Sequence, residues 1–189
     1  MKNDMQFTGK NGEFQIRHMV GKPQLNFPVA NEDGIKSSVT QNFGGDCKLD
    51  QNHFLLEPVS IENLHNNRST RNIWCTINQK EHLSLTGVSA HAEYAHFLGK
   101  EDDVTMDAGF MWQEMKRELK EQQIEASIRM FAPLYVPAEV MQVRITNKSD
   151  ADMRIRVTSA IPMYGRSADN LRDHRNVTSL LHRRPFSRQ

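Results

Sequence analysis

Charged and hydrogen-bonding side chains are densest between Gly165 and Arg175, where the sequence reads GRSADNLRDHR. Guanidinium, carboxylate and imidazole groups at this density suit sugar hydroxyls, phosphate or a partner surface. Ser167 is placed to accept a hydrogen bond from the backbone N–H of Asn170 and so begin a helical turn. The alternative is an arginine–aspartate network that only fixes the segment to a neighbouring domain. The candidate contact residues are Arg166, Asp169, Arg172, Asp173, His174 and Arg175.

No other stretch carries a local signature of catalysis or of metal or phosphate binding. His91 and His96 lie five residues apart without an HExxH motif or a cysteine pair, so we interpret them as ordinary histidines. The dipeptide at 44–45 is too short for a phosphate-binding loop. A carboxylate pair for glycosyl transfer could be any two of the 23 acids. The sequence therefore predicts no catalytic residue, no metal and no cofactor.

The composition fits a single domain. The chain has 189 residues, a net charge of +1 and 38% hydrophobic residues, and its mean hydropathy is −0.65. A chain of this length buries about 70% of its unfolded surface, so it needs no disulfide framework. The near-neutral charge argues against nucleic acid and membrane as partners. The sequence has two cysteines and shows neither an apolar leader nor an apolar run long enough to span a bilayer. These features predict a reduced, cytoplasmic protein.

The charge is uneven, because the region from Arg154 to Gln189 holds eight arginines, two aspartates and no lysine. Arginine without lysine favours planar contacts to carboxylates or phosphates, although a plain basic surface fits equally well. A nucleic-acid-binding tail is the weakest hypothesis, because no aromatic residues alternate with these arginines. Such a tail would show a steep salt dependence of binding.

Short apolar stretches broken by turn residues fill the first hundred residues. Asn-Gly at 11–12, Asp-Gly at 33–34 and Gly-Gly at 44–45 are strong turn signals. Frequent turns between strand-length stretches are typical of a sandwich or barrel. The predicted strands are Phe14–Ile16, Leu25–Val29, Phe54–Leu56 and Ile73–Ile77.

Alternation with period two is clearest later in the chain. The run Met141–Ile145 alternates apolar and polar residues, a polar turn follows at 147–150, and Met153–Ile161 alternates again. This pattern predicts an antiparallel hairpin with one buried face. A third alternating run begins at Ile124 and ends at Pro133.

One segment supports two predictions. Met111, Met115 and Leu119 lie four residues apart among good helix formers, which predicts an amphipathic helix. The alternative is a strand from Phe110 to Glu118, a turn near residue 120 and the strand that follows. No Gly, Asn or Pro marks that turn, so the residues alone leave both alternatives open.

Three longer stretches together resemble the amino-terminal region of the phosphorylases of glycoside hydrolase family 94. They are QNFGGDCKLDQNHFLLEPVSIENLHNNRSTRNIWC at 41–75, DAGFMWQEM at 107–115 and IPMYGRSADNLRDHRNVTSLLHR at 161–183. The resemblance extends from about Phe14 to Arg183. It is strongest to those members of the family that act on β-1,2-glucan.

The resemblance implies an all-β fold, an antiparallel β-sandwich of the supersandwich type, and favours two strands over the helix between 110 and 130. In this family an (α/α)6 barrel, absent from this chain, carries the general acid and the phosphate-binding residues. Inorganic phosphate is therefore a co-substrate of the parent enzyme, and no residue of this chain is implied to be catalytic. The sandwich is implied to help shape the active-site mouth, where β-glucan binds, and a homodimer interface. The segment from Arg166 to Arg175 is the expected contact.

After His182 the sequence RRPFSRQ departs from the family pattern. We expect a partial sandwich domain over 1–183, incomplete at its C-terminus, followed by an aberrant basic tail over 184–189. A sandwich that lacks its last strands exposes unpaired edges and an apolar face, which predicts self-association. We therefore expect this fragment alone to be inactive.

A free-standing carbohydrate-binding sandwich is the alternative function. Such a module presents aromatic side chains on a flat face or in a groove. Aromatic residues make up only 7% of this chain. Trp74 and Trp112 both occur within apolar strand patterns, so we expect both of them in the core.

Overall fold

The computed structural model describes residues 5–19, 25–59, 70–100 and 102–170. Within these ranges the chain forms thirteen β-strands, one α-helix and one short 3-10 helix. The strands are β1 Met5–Phe7, β2 Phe14–Ile16, β3 Asn26–Ala30, β4 Lys36–Thr40, β5 Cys47–Asp50, β6 His53–Leu56, β7 Asn72–Ile77, β8 Glu81–Ser84, β9 Asp103–Gly109, β10 Trp112–Leu119, β11 Ile124–Phe131, β12 Val140–Asn147 and β13 Ile155–Ala160. The helix α1 is Ala90–Phe97, and the 3-10 helix is Ala168–Asn170.

The strands form three antiparallel sheets. The largest has six strands in the order β1-β2-β9-β10-β11-β12. The second has the order β3-β4-β5-β6, and the third has the order β13-β7-β8. This confirms the prediction of an all-β antiparallel sandwich, and each of the four strands predicted in the first half overlaps an observed strand.

The hydrophobic core lies between the six-stranded sheet and the two smaller sheets. Alternation along β9, β10 and β11 turns every second side chain inward, and the buried set includes Met106, Met115 and Ile128. The opposing side chains come mainly from β3, β4 and β7, for example Val29 and Cys75. This cluster therefore holds all three sheets together, and a second, smaller cluster is formed by Ile35, Cys47 and Leu56.

Gly45 shows why the Gly-Gly turn needs glycine. Its φ is +118°, and a Cβ built on it would lie 1.9 Å from the carbonyl oxygen of Ser38. The backbones of β4 and of the following turn approach too closely there for any side chain. The predicted Asn-Gly and Asp-Gly turns are also confirmed, since they connect β1 to β2 and β3 to β4.

The ambiguous segment forms a hairpin, so the helix interpretation is wrong. Trp112 pairs with Phe131 and Leu119 pairs with Ile124, in continuous antiparallel register. The turn between the strands has no glycine, and Gln123 adopts a left-handed φ of 52° instead. The usual turn signal was therefore missing from the sequence although the turn itself is tight.

The predicted hairpin between Met141–Ile145 and Met153–Ile161 is wrong. Both runs are strands, but β12 pairs with β11 in the six-stranded sheet, and β13 pairs with β7 in the three-stranded sheet. The intervening residues cross between the two layers, where the backbone N–H of Asn78 donates to the carbonyl of Arg154 at 2.8 Å. Alternation identifies a strand and its buried face, but the strand's partner is set by tertiary packing.

The helix α1 was not predicted. Ser89 caps its N-terminus by accepting a hydrogen bond from the N–H of Ala92 at 3.1 Å. No side chain of the helix is buried, so the sequence has no apolar stripe with a helical period there.

Candidate functional site

The first residues of the segment Gly165–Arg175, in which the sequence predicted contact residues, lie along the edge of β6. Arg166 and Phe54 exchange backbone hydrogen bonds of 3.1 and 2.9 Å, and the N–H of Tyr164 donates to Leu55 at 2.8 Å. Tyr164 is buried, and its hydroxyl donates to the carbonyl of Ser167 at 2.8 Å. These contacts fix the segment to the four-stranded sheet as a short extra pairing.

Two of the six predicted contact residues lie within the described ranges. Arg166 is half-buried beside β6, and Asp169 is exposed on the 3-10 helix that follows Ser167, where a helical turn was predicted. These two side chains do not form an ion pair with each other or with any described residue. The other four predicted residues lie outside the described residues: Arg172, Asp173, His174 and Arg175.

A buried ion pair that the sequence did not reveal lies beside the connection between β4 and β5 of the same sheet. Arg71 is 1% exposed. It binds Glu139 through two hydrogen bonds, Nε to Oε2 at 2.8 Å and Nη2 to Oε1 at 2.7 Å. The same guanidinium donates to the carbonyls of Phe43 at 3.2 Å and Asp46 at 2.8 Å. Ser37 also donates to Glu139, so the buried charges are well satisfied.

Cys47 lies beside this ion pair and is fully buried, as is Cys75. Both thiols are free and completely enclosed. Burial, with a smaller effect of the Glu139 carboxylate, raises the pKa of the Cys47 thiol to about 11. Burial likewise raises the pKa of Cys75. Both thiols are therefore protonated at neutral pH, which makes them poor nucleophiles and poor metal ligands.

The ion pair also fixes the connection between β11 and β12, residues 132–139, which we call the pinned loop. Glu139 holds its end, and the side-chain amide of Asn31 donates to the carbonyls of Pro133 and Val136 within the loop. Between these anchors Leu134 and Tyr135 point into solvent, at 62% and 84% exposure. The loop is thus held firmly while its apolar side chains remain uncovered.

One side of the sandwich is open within the described part of the chain. The strands β12 and β13 each pair on one side only, and they lie at the edges of opposite layers. We call this open side the seam. Its core-facing side chains are only partly covered, and Val157 is 49% exposed. The partly buried members on the core side are Met141, Val143, Ile145, Met153 and Ile155.

A shallow basic depression lies where β7 meets β13. It is lined by Thr76, Gln79, Arg154, Ile155 and Arg156. Thr76 is hydrogen-bonded to His82 on the neighbouring strand, at 3.0 Å. The two arginines make no salt bridge with a described residue, so the depression has a local positive charge that an anionic group can approach.

The prediction that both tryptophans lie in the core is wrong. Trp74 and Trp112 are half-buried, and each lies on the face of its strand that points away from the core. The Trp112 ring packs over Gly109 and beneath Arg129, whose guanidinium carbon is 4.8 Å from the ring centroid. The period-two alternation of each strand assigns both residues to the outer face, so the sequence alone contained the information for the correct prediction.

His91 and His96 are exposed on α1. Across the described ranges, no three His, Cys, Asp or Glu side chains converge on a possible metal position. Among the same residues, no helix combines the length and apolar character needed to cross a bilayer.

The fold defined by these contacts is an antiparallel β-sandwich domain. Residues 63–187 match the family model described as Glycosyl hydrolase 94, supersandwich domain. The match covers well over half of the chain, and the chain therefore belongs to glycoside hydrolase family 94. It includes β7 through β13 and the segment from Gly165 to Arg175. The search of curated proteins found no match.

Proposed function

We propose that this chain is the non-catalytic amino-terminal sandwich region of an inverting β-glucan phosphorylase. Membership of family 94 supports the reaction class, and the resemblance to 1,2-β-oligoglucan phosphorylase supports β-1,2-glucan as the substrate. In the parent reaction a phosphate oxygen bonds to the anomeric carbon as the glycosidic C–O bond breaks. A carboxylic acid protonates the leaving oxygen with inversion. The products are α-glucose 1-phosphate and a glucan shortened by one glucose.

The seam is the observation that carries this proposal. Sandwiches that act alone normally pair, cover or charge their edges. Here two consecutive strands leave their outer edges and part of the core face open among the described residues. An open side of this kind suits a region that is completed by further strands and packs against another domain.

The role that follows is structural. The sandwich helps to shape the active-site mouth and to hold the enzyme as a dimer, with Arg166 and Asp169 as candidate contacts beside β6. The enclosed thiols Cys47 and Cys75 fit a reducing cytoplasm, where we place the protein.

A phosphorolysis assay tests the lack of catalysis. The chain is incubated with a β-1,2-glucan oligosaccharide and inorganic phosphate, and glucose 1-phosphate is measured against a complete phosphorylase as the positive control. We expect no product above background. Steady turnover by the purified chain would overturn the proposal.

A carbohydrate-binding module is the second candidate, favoured by the outward positions of Trp74 and Trp112. Isothermal titration with a short β-1,2-glucan separates the two functions. We expect weak or no binding. Saturable binding that is lost in only one of the variants Trp112→Ala and Trp74→Ala would favour the module. The variant that loses binding would identify the tryptophan that contacts the sugar.

A further inference from the structure

The basic depression between β7 and β13 is formed by residues that share one face of the three-stranded sheet. Arg156 pairs with Thr76, and Thr76 pairs with His82 on β8, so these three residues form one cross-strand row. The row lies on the outer face, because the alternate residues of β7 are buried in the core. Arg154 lies two residues before Arg156 and extends this face towards the β7–β8 turn.

The backbone around the depression is fixed by hydrogen bonds within the protein. The backbone N–H of Asn78 donates to the carbonyl of Arg154 at 2.8 Å, and the Asn78 side-chain oxygen accepts from the N–H of Arg154 at 2.9 Å. Gln79, the next residue of the turn, has a left-handed φ of 60° and lines the depression. A ligand therefore meets a preformed framework, which lowers the conformational entropy lost on binding.

The two guanidinium groups of the depression lack carboxylate partners. Neither Arg154 nor Arg156 forms a salt bridge with a residue that the structure describes. On the described strands of this sheet the only carboxylate is that of Glu81, which pairs with the buried residue Ile77 and so lies on the opposite face. Asp152, two residues before Arg154, is exposed and does not pair with it. An anion can therefore bind both arginines without displacing a carboxylate of the protein.

The size of the depression and its hydrogen-bond donors fit a small tetrahedral oxyanion. The volume is about 200 Å³, below the roughly 300–1,000 Å³ of pockets that enclose drug-sized ligands. A carboxylate is satisfied by one guanidinium fork, whereas a phosphate group carries about two negative charges and three strong acceptor oxygens. Two guanidinium groups match that charge. The hydroxyl of Thr76 adds a donor when the proton of the His82 ring lies on Nδ1.

We propose that this depression is a binding site for a tetrahedral oxyanion, either a free inorganic ion or the phosphate group of a small ester. Arg154 and Arg156 hold the ion through charge-assisted hydrogen bonds, and Thr76 and Gln79 donate to its remaining oxygens. The bound ion connects the edge strand β13 to β7 and to the turn that follows it. The site goes beyond the proposed function, because it requires neither phosphorolysis nor a glucan.

Phosphorus NMR of inorganic phosphate, titrated with the full chain at constant pH and ionic strength, tests the proposal. Bound phosphate tumbles with the protein, so its signal broadens, and we expect saturation with a dissociation constant in the millimolar range. Arg154→Gln and Arg156→Gln should each raise this constant by about tenfold, because each removes charge-assisted hydrogen bonds. Both arginines are exposed, so the variants should keep the melting temperature of the parent chain in phosphate-free buffer.

Arg144→Gln is the matched control. Arg144 is exposed on β12 and forms no salt bridge with a described residue, so its replacement removes the same charge from a different sheet. The dissociation constant for phosphate should not change. Arg156→Lys keeps the charge but loses the planar fork of donors, and it should give an intermediate dissociation constant.

Competing ions identify the ligand class. Sulfate should displace phosphate, whereas chloride at the same ionic strength should not. Glucose 1-phosphate separates the two sources of the oxyanion: tighter binding than inorganic phosphate identifies an ester as the ligand, and equal or weaker binding identifies the free ion.

The proposal is overturned if the phosphate signal shows no saturable broadening. It is also overturned if Arg144→Gln weakens binding as much as Arg156→Gln does, because the attraction would then depend on net charge alone. Neither outcome bears on the assay for glucose 1-phosphate production, so the two proposals fail separately.

Discussion

Arg71 and Glu139 form a buried, bidentate ion pair that joins all three sheets. Arg71 directly precedes β7 of the three-stranded sheet, and Glu139 directly precedes β12 of the six-stranded sheet. The remaining donors of the guanidinium bind the carbonyls of Phe43 and Asp46, in the connection between β4 and β5. A single side chain thus connects three segments that are distant in the sequence, and it adds to the backbone hydrogen bond from Arg71 to Phe43 and the hydrogen bond from Ser37 to Glu139.

Removal of one partner of this pair should be costly. Glu139→Ala leaves the Arg71 charge buried without its carboxylate, and we expect a loss of about 3–5 kcal/mol in the free energy of unfolding. Urea denaturation measures it. The control is Glu125→Ala, because Glu125 pairs with Lys148 where both side chains are about half exposed, and the expected loss is under about 1 kcal/mol. Similar small losses in both variants would show that the buried pair is unimportant.

Gly45→Ala should destabilise the turn between β4 and β5. The new methyl group would overlap the carbonyl of Ser38 at 1.9 Å, and it would also add the cost of a left-handed backbone. We expect a loss above about 3 kcal/mol. Gly12→Ala has the backbone cost without the overlap, since nothing lies within 4 Å of its position, and it should lose about 1–2 kcal/mol. Chemical denaturation of both variants compares them, and equal losses would contradict the steric argument.

The chain should self-associate, because the seam exposes apolar side chains and the unpaired edges of β12 and β13. Val157→Lys places a charge on the seam and should reduce this assembly. Thr158→Lys is the control, since the next residue of β13 points to the opposite face, and it should not prevent assembly. Light scattering at rising concentration distinguishes these cases. A parent chain that stays monomeric and melts cooperatively would contradict the expectation for the seam.

Stability should fall in alkaline solution because of Cys47. Its pKa is raised in the folded state to about 11 from an ordinary 9.0, so between these values the unfolded chain releases a proton that the folded chain keeps. Stability is then complete below pH 9 and declines as the pH rises towards 11, by about 2 kcal/mol. Cys47→Ala should reduce this decline in denaturation curves taken from pH 8 to pH 11, and the part that remains includes the contribution of Cys75, whose pKa burial also raises. An unchanged slope in the variant would assign the decline to other groups.

Local pattern predicted a large part of the fold. The strands β2, β3, β6 and β7 were predicted from short apolar runs between turn residues, and these runs indicated a sandwich or a barrel. The family resemblance then favoured the sandwich. The hairpin of β10 and β11 needed the family resemblance, because its turn uses Gln123 at positive φ instead of a glycine. Intrinsic helix propensity in that segment was overridden by burial of Met115 and Leu119 in the core.

Contacts between residues far apart in the chain could not be predicted from the sequence. The pairing of β13 with β7 joins residues such as Val157 and Cys75, which are far apart in the chain. The pair of Arg71 and Glu139 has no local signature for the same reason. The predicted contacts at Arg166 and Asp169 remain a prediction about the surface beside β6, because neither side chain forms an ion pair with a described residue.

The connection from β12 to β13 joins the two edge strands of the open side. Seven residues separate Asn147 from Ile155, a tether of at most about 25 Å when fully extended, and Asn78 shortens it by holding Arg154 through two hydrogen bonds. Facing sheets are about 10 Å apart, so the layers cannot swing far from each other at this end. The separation of β12 from β13 is therefore limited at the Asn147–Ile155 end of the open side, where a short covalent connection and the hydrogen bonds of Asn78 act together.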